Sequence, residues 1–231
     1  MINKTRLLNM AKDYNMDISH CIDKLDLYAE ILVEYNQKVN LTAITDDEGI
    51  EQKHFLDSLL FANNKLVKGK VIDVGTGAGF PGVVTKLYKP EIELTLLEPT
   101  GKRVDFLKYL CEKLEIDAIF VKERAEEAAR KIYREKYDIA VARAVSELNI
   151  LAEYCIPLVK PKGYFFALKA DVNKEIENSK NALNVLNSKI VNINEFTLPN
   201  GSKRNILEIV KNKKNMDIYP RNGGVIKKKP L

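Results

Sequence analysis

The chain has few of the residues that metal sites, disulfide frameworks and proton relays need. Its 231 residues include no tryptophan, two histidines and three cysteines. Cys21, Cys111 and Cys155 are widely spaced and form no C-x-x-C pair, so the sequence indicates neither a zinc site nor a disulfide framework. We therefore expect no bound metal and a location in the reducing cytoplasm.

Long apolar runs and nucleotide-binding lysine loops are also absent. No apolar run approaches the roughly 18 residues of a transmembrane helix, and the first residues are polar, so we expect no membrane partner and no export. No Gly-Lys-Ser or Gly-Lys-Thr occurs, which excludes a Walker loop.

The charge is concentrated at one end of the chain. The formal net charge is +5, from 37 Lys and Arg against 32 Asp and Glu. Residues 211–231 carry seven basic residues and one acidic residue, so this end is +6 and the rest is nearly neutral. A basic segment on a neutral body suggests a polyanionic partner, but a solvated, disordered terminus explains the same charge.

The apolar pattern changes near residue 66. Up to Leu66, apolar residues recur at helical spacing, whereas short β-branched runs alternate with helical segments afterwards. Parallel strands are predicted at 70–74, 93–98, 118–121, 138–142 and 164–169, with helices at 81–87, 102–114, 125–133, 147–158 and 173–187. Strands 191–198 and 205–211 are joined by a short turn and should form an antiparallel hairpin.

This alternation predicts an α/β fold, a Rossmann-like parallel sheet with a terminal antiparallel hairpin. The expected divisions are a helical N-terminal subdomain (1–66), the sheet domain (67–211) and a basic C-terminal tail (212–231).

A glycine-rich loop follows the first predicted strand. The loop reads Asp73-Val74-Gly75-Thr76-Gly77-Ala78-Gly79-Phe80-Pro81-Gly82. It leads from an apolar strand through glycines to the start of a helix, which is the place where doubly wound sheets bind ligands. The Gly77, Gly79 and Gly82 spacing fits a dinucleotide site, whereas Asp73 before Gly75 is common in loops that hold S-adenosylmethionine. Glu98, at the end of the second strand, suits a ribose in either cofactor.

Two rival functions remain open at this point. The glycine spacing is compatible with an NAD(P)-dependent oxidoreductase. The two histidines both lie in the helical region, however, so few residues are available for a proton relay. The basic C-terminal end is compatible with a non-catalytic RNA-binding or ribosome-assembly factor. Small and acidic residues at Ala125 and Glu126, and Arg143 at the end of the fourth strand, favour a methyltransferase site instead.

Several segments together resemble the RsmG (GidB) family of 16S ribosomal RNA guanine-N7 methyltransferases. The resemblance covers nearly the whole chain. Its motifs are Asn40-Leu41-Thr42, His54-Phe55-Leu56-Asp57-Ser58, the glycine loop with its Gly79-Phe80-Pro81-Gly82 extension, Gly101-Lys102-Arg103, Phe106-Leu107, Arg124-Ala125-Glu126, Ala142-Arg143-Ala144, Ala167-Leu168-Lys169 and Tyr219-Pro220-Arg221.

The resemblance implies a class I S-adenosylmethionine-dependent methyltransferase acting on one guanine in 16S (small-subunit) ribosomal RNA. The cofactor-binding residues expected from the loop and the resemblance are Gly75, Gly77, Phe80, Glu98, Ala125, Glu126 and Arg143. The partner would be 16S rRNA, the small subunit or an assembly intermediate, and we expect a monomer.

Methylation of guanine N7 dictates which residues to look for. N7 has an in-plane lone pair and loses no proton, so we expect no catalytic general base, only in-line alignment of N7 with the methyl group. The guanine must leave its stack to be reached. Candidate RNA-binding residues are Asn40, His54, Lys102, Arg103, Lys169, Arg204 and Arg221. Each has an ordinary structural alternative: a solvated charge or, for His54, a pair with Asp57 one helical turn away.

Overall fold

A seven-stranded mixed sheet forms the centre of the computed structural model, which describes residues 1–143 and 146–231. The strands are β1 (Lys70–Val74), β2 (Glu93–Leu97), β3 (Ile119–Val121), β4 (Tyr137–Arg143), β5 (Val159–Lys169), β6 (Ser188–Thr197) and β7 (Lys203–Lys211). Their order is β3-β2-β1-β4-β5-β7-β6, with β7 antiparallel to both β5 and β6. The predicted fold class, a parallel sheet with a terminal hairpin, is confirmed.

Helices precede the sheet and cover both of its faces. They are α1 (Lys4–Asp13), α2 (Ile22–Asn36), α3 (Asp47–Gly49), a π-helical stretch (Ile50–Leu56), α4 (Asp57–Ala62), α5 (Gly82–Tyr88), α6 (Gly101–Lys113), α7 (Ala125–Ala128), α8 (Leu148–Cys155), a 3₁₀ turn (Ile156–Leu158), α9 (Asn173–Val185) and α10 (Gly223–Lys228). Within the described residues no helix is long and apolar enough to cross a membrane.

Alternate residues of the central strands serve two apolar layers. Val71 and Phe166 face the layer that the N-terminal helices and α6 complete, whereas Ile72 and Phe165 face the layer completed by α8 and α9. Successive side chains of a strand point to opposite faces, so apolar residues at consecutive positions require cover on both sides. Both faces of the central sheet are therefore covered.

Two of the predicted elements differ most from the structure in length. The helix expected at 125–133 ends at Ala128, because the chain then turns back to β4, with the amide of Glu135 donating to the carbonyl of Pro157 at 2.9 Å. The strand expected at 164–169 begins earlier, at Val159. Its first residues pair with Tyr137 before a register shift in β4.

The C-terminal segment, residues 212–231, crosses from the amino edge of the sheet to the carboxyl edge. It leaves β7 beside Asn187 and ends in α10, whose Ile226 is completely buried in the layer with α8. Arg221 pairs with the fully buried Glu153, with Nη2 2.7 Å from Oε2. The alternative of a solvated, disordered terminus therefore does not hold for this segment.

Candidate functional site

Asp73 holds the glycine loop in place from beneath. Its carboxylate Oδ2 accepts hydrogen bonds from the Thr76 hydroxyl at 2.6 Å and from the Gly82 amide at 2.8 Å. A Cβ at position 82 would lie 2.8 Å from the same oxygen, so only glycine fits there. Complete burial raises the pKa of Asp73 to about 6, although both hydrogen bonds favour the carboxylate.

The loop turns sharply above this carboxylate. Gly75, Gly77 and Gly79 have φ values of 69°, 60° and 97°, a region in which a side chain is strained. A Cβ on Gly77 would meet nothing nearer than the Gly75 carbonyl, at 4.0 Å, so the space beside Gly77 is open. The loop thus exposes backbone at the carboxyl end of β1.

A cavity of about 190 Å³ lies beside this loop at the carboxyl ends of β1, β2 and β3. We call it the β1–β3 cavity. Its apolar walls are Val74, Leu97, Pro99, Ala125 and Tyr154, and its other lining residues are Gly75, Glu123, Arg124, Glu126, Ser146 and Lys227. The buried Oε2 of Glu123 has no hydrogen-bond partner among the described residues. Apolar walls beside an unpaired acceptor suit a flat ring that carries an N–H or O–H donor.

The predicted cofactor residues divide into two groups. Gly75, Ala125 and Glu126 line the β1–β3 cavity. The buried Glu98 lies next to it and accepts hydrogen bonds from the amides of Gly77 at 3.2 Å and Thr100 at 2.9 Å.

Phe80 and Arg143 stand outside this cavity. Phe80 is buried between Tyr28, with ring centroids 5.0 Å apart, and His54, at 4.4 Å. The guanidinium of Arg143 lies 5.1 Å from the Phe80 ring centre. Phe80 packs behind the loop, and Arg143 lines a different cavity, so their contact with the cofactor stays a prediction. Ala144, the last residue of the Ala142-Arg143-Ala144 motif, lies outside the described residues.

The second cavity, of about 420 Å³, lies at the carboxyl ends of β4 and β5. We call it the β4–β5 cavity. Its lining residues are Ile44, Lys53, His54, Asp57, Arg143, Leu168, Lys169, Ala170 and Arg204. Because β1 pairs with β4, the two cavities are neighbours on one sheet edge, at the point where the strand order reverses.

Asp57 joins two arginines from distant parts of the chain. Its Oδ2 lies 2.9 Å from Arg143 Nη1, and its Oδ1 lies 3.1 Å from Arg204 Nε. The carboxylate side chain is only 6% exposed, so solvent screens these pairs weakly. The predicted alternative of a His54–Asp57 pair is wrong, because Thr42 and Arg143 engage both ring nitrogens of His54.

His54 is held as a neutral imidazole. Burial, reinforced by the charge of Arg143, lowers its pKa to about 3. Its Nδ1 lies 3.3 Å from Arg143 Nη2, which can only donate, so the ring proton belongs on Nε2 and is donated to Thr42 Oγ1 at 2.9 Å. His54 therefore orients Arg143 and the loop after α2.

The remaining predicted RNA-binding residues have varied surroundings. Lys169 lines the β4–β5 cavity, but its ammonium group bonds to the Ser146 carbonyl and pairs with Glu175 at 2.7 Å. Asn40 and Lys102 are exposed, and Arg103 lies 3.9 Å from Glu98. Arg221 faces neither cavity, because Glu153 engages both its backbone amide and its guanidinium group. Arg221 thus anchors the C-terminal segment within the protein, and its contact with RNA stays a prediction.

Several residues at or near the site were not predicted from the sequence. They include Tyr28, whose hydroxyl donates to the Ala78 carbonyl at 2.5 Å, Lys53, Glu153 and Lys227. Their only sequence signal was a buried position in an amphipathic pattern or a charge in a basic run, and neither names a partner. Among the described residues no group of three or more His, Cys, Asp or Glu side chains is arranged to hold a metal.

Solved structures share the fold. A methyltransferase from Pyrococcus furiosus superimposes with a TM-score of 0.59 at 15% identity, covering 81% of this chain and 96% of that one. A SAM-dependent O-methyltransferase from Thermotoga maritima gives 0.53 at 13% identity, covering 80% and 73%. The sheet is therefore that of class I S-adenosylmethionine-dependent methyltransferases.

Curated sequences are similar along most of the chain. The "Ribosomal RNA small subunit methyltransferase G" of Alkaliphilus metalliredigens is 47% identical over 216 residues, covering 91% of this chain and 90% of the relative. The protein of the same name from Acetivibrio thermocellus is 48% identical over 216 residues, covering 91% and 88%. The family model described as GidB, rRNA small subunit methyltransferase G, matches residues 21–207. The chain belongs to this methyltransferase family.

Proposed function

We propose that the protein transfers the methyl group of S-adenosylmethionine to N7 of one guanine in small-subunit ribosomal RNA. The observation that carries this proposal is the pairing of two unlike cavities on one sheet edge. The β1–β3 cavity borders an open glycine loop and combines apolar walls with two acidic and two basic side chains, whereas the β4–β5 cavity is lined by four cationic side chains and one carboxylate. One suits an adenosine and the other a nucleic-acid phosphate.

The residues around the β1–β3 cavity fit S-adenosylmethionine. The open side of Gly77 leaves room for a ligand against the backbone, and Glu123 offers an unpaired buried acceptor. In this proposal Gly75, Ala125 and Glu126 enclose the cofactor, and Glu98 is the candidate for its ribose hydroxyls. When bound, S-adenosylmethionine supplies a methyl group made electrophilic by the adjacent sulfonium.

The neighbouring side chains suit a reaction that needs alignment and no base. His54 is neutral, with both ring nitrogens engaged, and Asp73 is buried beneath the loop, so neither is placed to remove a proton from a substrate. N7 of guanine requires no such removal. Holding N7 in line with the methyl group can contribute about 7–11 kcal/mol towards the barrier.

The other expectations carry over as parts of this proposal. The RNA substrate is free 16S rRNA, the small subunit or an assembly intermediate, and the enzyme works as a monomer in the cytoplasm. Residues 1–66 act as a helical subdomain over the substrate, residues 67–211 bind the cofactor, and residues 212–231 add positive charge.

A labelled-methyl assay tests the reaction. The purified protein is incubated with S-adenosyl-[methyl-³H]methionine and naked small-subunit rRNA, assembled subunits or an assembly intermediate, each lacking the modification. We expect one labelled 7-methylguanosine, found by nuclease mapping, in at least one substrate. Label in another base, or none despite cofactor binding, would contradict the proposed specificity or favour the assembly-factor alternative.

A glycine-loop variant tests the cofactor site. Gly77→Asp adds a carboxylate beside Glu98 at a backbone φ of 60°, and calorimetry should show at least a 100-fold loss of S-adenosylmethionine affinity. Gly201→Asp is the matched control, because Gly201 has a φ of 80° in the β6–β7 turn with nothing within 4 Å. Tight binding of NAD(H) in place of S-adenosylmethionine would restore the oxidoreductase alternative.

A further inference from the structure

The β4–β5 cavity is built around a carboxylate that keeps two guanidinium groups apart and fixed. Asp57 comes from α4, Arg143 from the end of β4 and Arg204 from the start of β7. Each arginine uses a different carboxylate oxygen, at 2.9 Å and 3.1 Å. The two side chains are 15% and 21% exposed, so they are held at the cavity wall.

The two arginines differ in how many of their donors are used. Arg143 donates to Asp57, to the Lys53 carbonyl at 2.9 Å and to His54, and its flat face covers Phe80. Arg204 forms an ion pair with Asp57 through Nε, at 3.1 Å, and donates a hydrogen bond from Nη1 to the Lys203 carbonyl, at 2.8 Å. Its Nη2 makes no hydrogen bond to the part of the chain that the structure describes. Arg204 is therefore the guanidinium with donor capacity left for a ligand.

The charge of the cavity favours an anionic ligand. Lys53, Arg143, Lys169 and Arg204 line it against the single carboxylate of Asp57, while Glu175 offsets Lys169 from outside the lining. Apolar surface from Ile44 and Leu168 adds a wall against which a flat group can pack. At about 420 Å³ the cavity lies within the range of about 300–1,000 Å³ of small-molecule sites.

We propose that the β4–β5 cavity receives the target nucleotide of the RNA, turned out of its stack, and that Arg204 binds its phosphate. Asp57 is a positioning residue that sets the orientation of Arg204 and Arg143. The free Nη2 of Arg204 can donate a charge-assisted hydrogen bond to a phosphate oxygen, and a guanidinium already held in position loses less entropy on binding. This inference rests on the proposed function, because it names the substrate subsite of the same reaction.

The β4–β5 cavity lies on the same sheet edge as the glycine loop. This position favours a ligand that inserts a base into the cavity over an RNA strand that only passes across the surface. The cavity adjoins the β1–β3 cavity across the β1–β4 pair, so a base in it lies next to the glycine loop. A base can reach a methyl donor there only when it is unstacked. A phosphate bound at the rim supplies affinity, and the apolar wall accommodates the base.

Arg204→Gln and Arg204→Lys test the phosphate contact. For methylation of small-subunit rRNA, we expect Arg204→Gln to raise KM at least tenfold while kcat at saturating RNA and the Kd for S-adenosylmethionine change less than twofold. Arg204→Lys keeps the charge and should recover part of the KM. Lys68→Ala, an exposed lysine at the amino edge of β1, is the control and should keep the wild-type KM.

Asp57→Asn and Asp57→Glu test the positioning role. Asp57→Asn should lower kcat and raise KM together, because both arginines lose their shared partner, and Asp57→Glu should recover more of the kcat than of the thermal stability. Cofactor affinity measured on each variant shows whether the sheet edge is intact. Equal loss of cofactor binding and RNA turnover in Asp57→Asn would assign it a purely structural role and overturn this part of the proposal.

Direct RNA binding separates failure of this site from failure of the proposed reaction. In filter binding with small-subunit rRNA, Arg204→Gln should weaken affinity at least fivefold and lower the salt dependence by about one counterion. If the wild type binds this RNA but transfers no methyl group, the proposed function fails while the site stands. If Arg204→Gln binds and methylates RNA like the wild type, the nucleotide site is wrong.

Discussion

The N-terminal helices and the C-terminal segment reach the site from opposite faces of the sheet, and they are attached by different forces. Residues 1–66 dock mainly through buried apolar side chains such as Leu25 and Phe61. Residues 212–231 dock through partly buried polar contacts: Arg221 pairs with Glu153, and Arg134 donates to the carbonyl of Tyr219 at 2.6 Å. Ile226 adds one buried apolar contact.

Both segments nevertheless complete the same carboxyl edge. The N-terminal region contributes His54 and Asp57 to the β4–β5 cavity and Tyr28 to the back of the glycine loop. The C-terminal segment contributes Lys227 to the β1–β3 cavity and packs Gly223 against Glu126. An apolar interface tolerates small changes gradually, whereas a buried ion pair fails when one partner is removed. The two attachments should therefore respond differently to substitution.

The largest effect should come from breaking the C-terminal ion pair. Glu153→Gln leaves the Arg221 guanidinium buried without a full charge partner, at a cost of about 3 kcal/mol in the free energy of unfolding. Because the same segment carries Lys227, S-adenosylmethionine affinity should fall as well. Urea unfolding and calorimetry measure both. Glu177→Gln, in an exposed pair with Lys180, is the control and should cost less than about 0.5 kcal/mol.

The next effect concerns the pH dependence contributed by the N-terminal region. His54 has a folded-state pKa of about 3 against about 6.5 when unfolded, so only the unfolded chain takes up its proton as the pH falls below 6.5. This costs about 2 kcal/mol of stability between pH 7 and pH 5. Between pH 7 and pH 5 the free energy of unfolding of His54→Gln should therefore fall by about 2 kcal/mol less than that of the wild type, as measured by urea titrations.

Titration of Asp73 changes the free energy of unfolding in the opposite direction, and its contribution cancels when the wild type and His54→Gln are compared. Its pKa, raised to about 6, makes the folded state take up a proton first, so ionisation of Asp73 destabilises the fold above pH 6 and the loss is recovered below it. This contribution is present in both the wild type and His54→Gln. The exposed His20, replaced as His20→Gln, serves as the control. An identical pH profile for wild type and His54→Gln would show that His54 is not held neutral.

A smaller effect should follow from removing one hydroxyl at the N-terminal interface. Tyr28→Phe keeps the ring stacked on Phe80 but leaves the buried carbonyl of Ala78 without its donor, at a cost of about 1.5 kcal/mol. Since Ala78 belongs to the glycine loop, cofactor affinity should fall several-fold. Tyr109→Phe, at an exposed ring, is the control. Unchanged cofactor affinity in Tyr28→Phe would mean that the helices cover the loop without shaping it.

The smallest effect on stability should come from the exposed lysines of the C-terminal segment. The double variant Lys228→Ala/Lys229→Ala lies at the carboxyl edge beside Lys227, and Lys213→Ala/Lys214→Ala lies at the amino edge beside Lys211. Both should change the free energy of unfolding by less than about 0.5 kcal/mol. If the proposed RNA substrate lies at the carboxyl edge, only the first should weaken RNA binding and its salt dependence. Equal weakening by both would mean that the segment acts through its total charge.

Much of the fold was predictable because its signals are local. The strand at 70–74 matches β1 residue for residue, since an apolar run ending in glycines specifies both the strand and its end. The hairpin at the end of the sheet was predicted from a turn too short for a crossover. Helix α7 was predicted too long because its periodicity continues past Ala128, while contacts with Pro157 bend the chain away.

The candidate site was predictable only in part. Gly75, Ala125 and Glu126 follow strand ends, and a parallel sheet brings those ends to one edge whatever the details of packing. Arg143 also follows a strand end, but its side chain turns to Asp57 and away from the β1–β3 cavity. No local rule announces that choice, because it depends on where α4 lies.

The sequence by itself determined the class of fold, the glycine loop and the family motifs, because periodicity and turn residues act over a few positions. Only the tertiary structure decided the partners of the charged side chains. Arg204 and Asp57 are far apart in the chain, and so are Arg221 and Glu153. A buried charged group pairs with whichever opposite charge the packing of the chain brings within about 3 Å, and composition does not encode that distance.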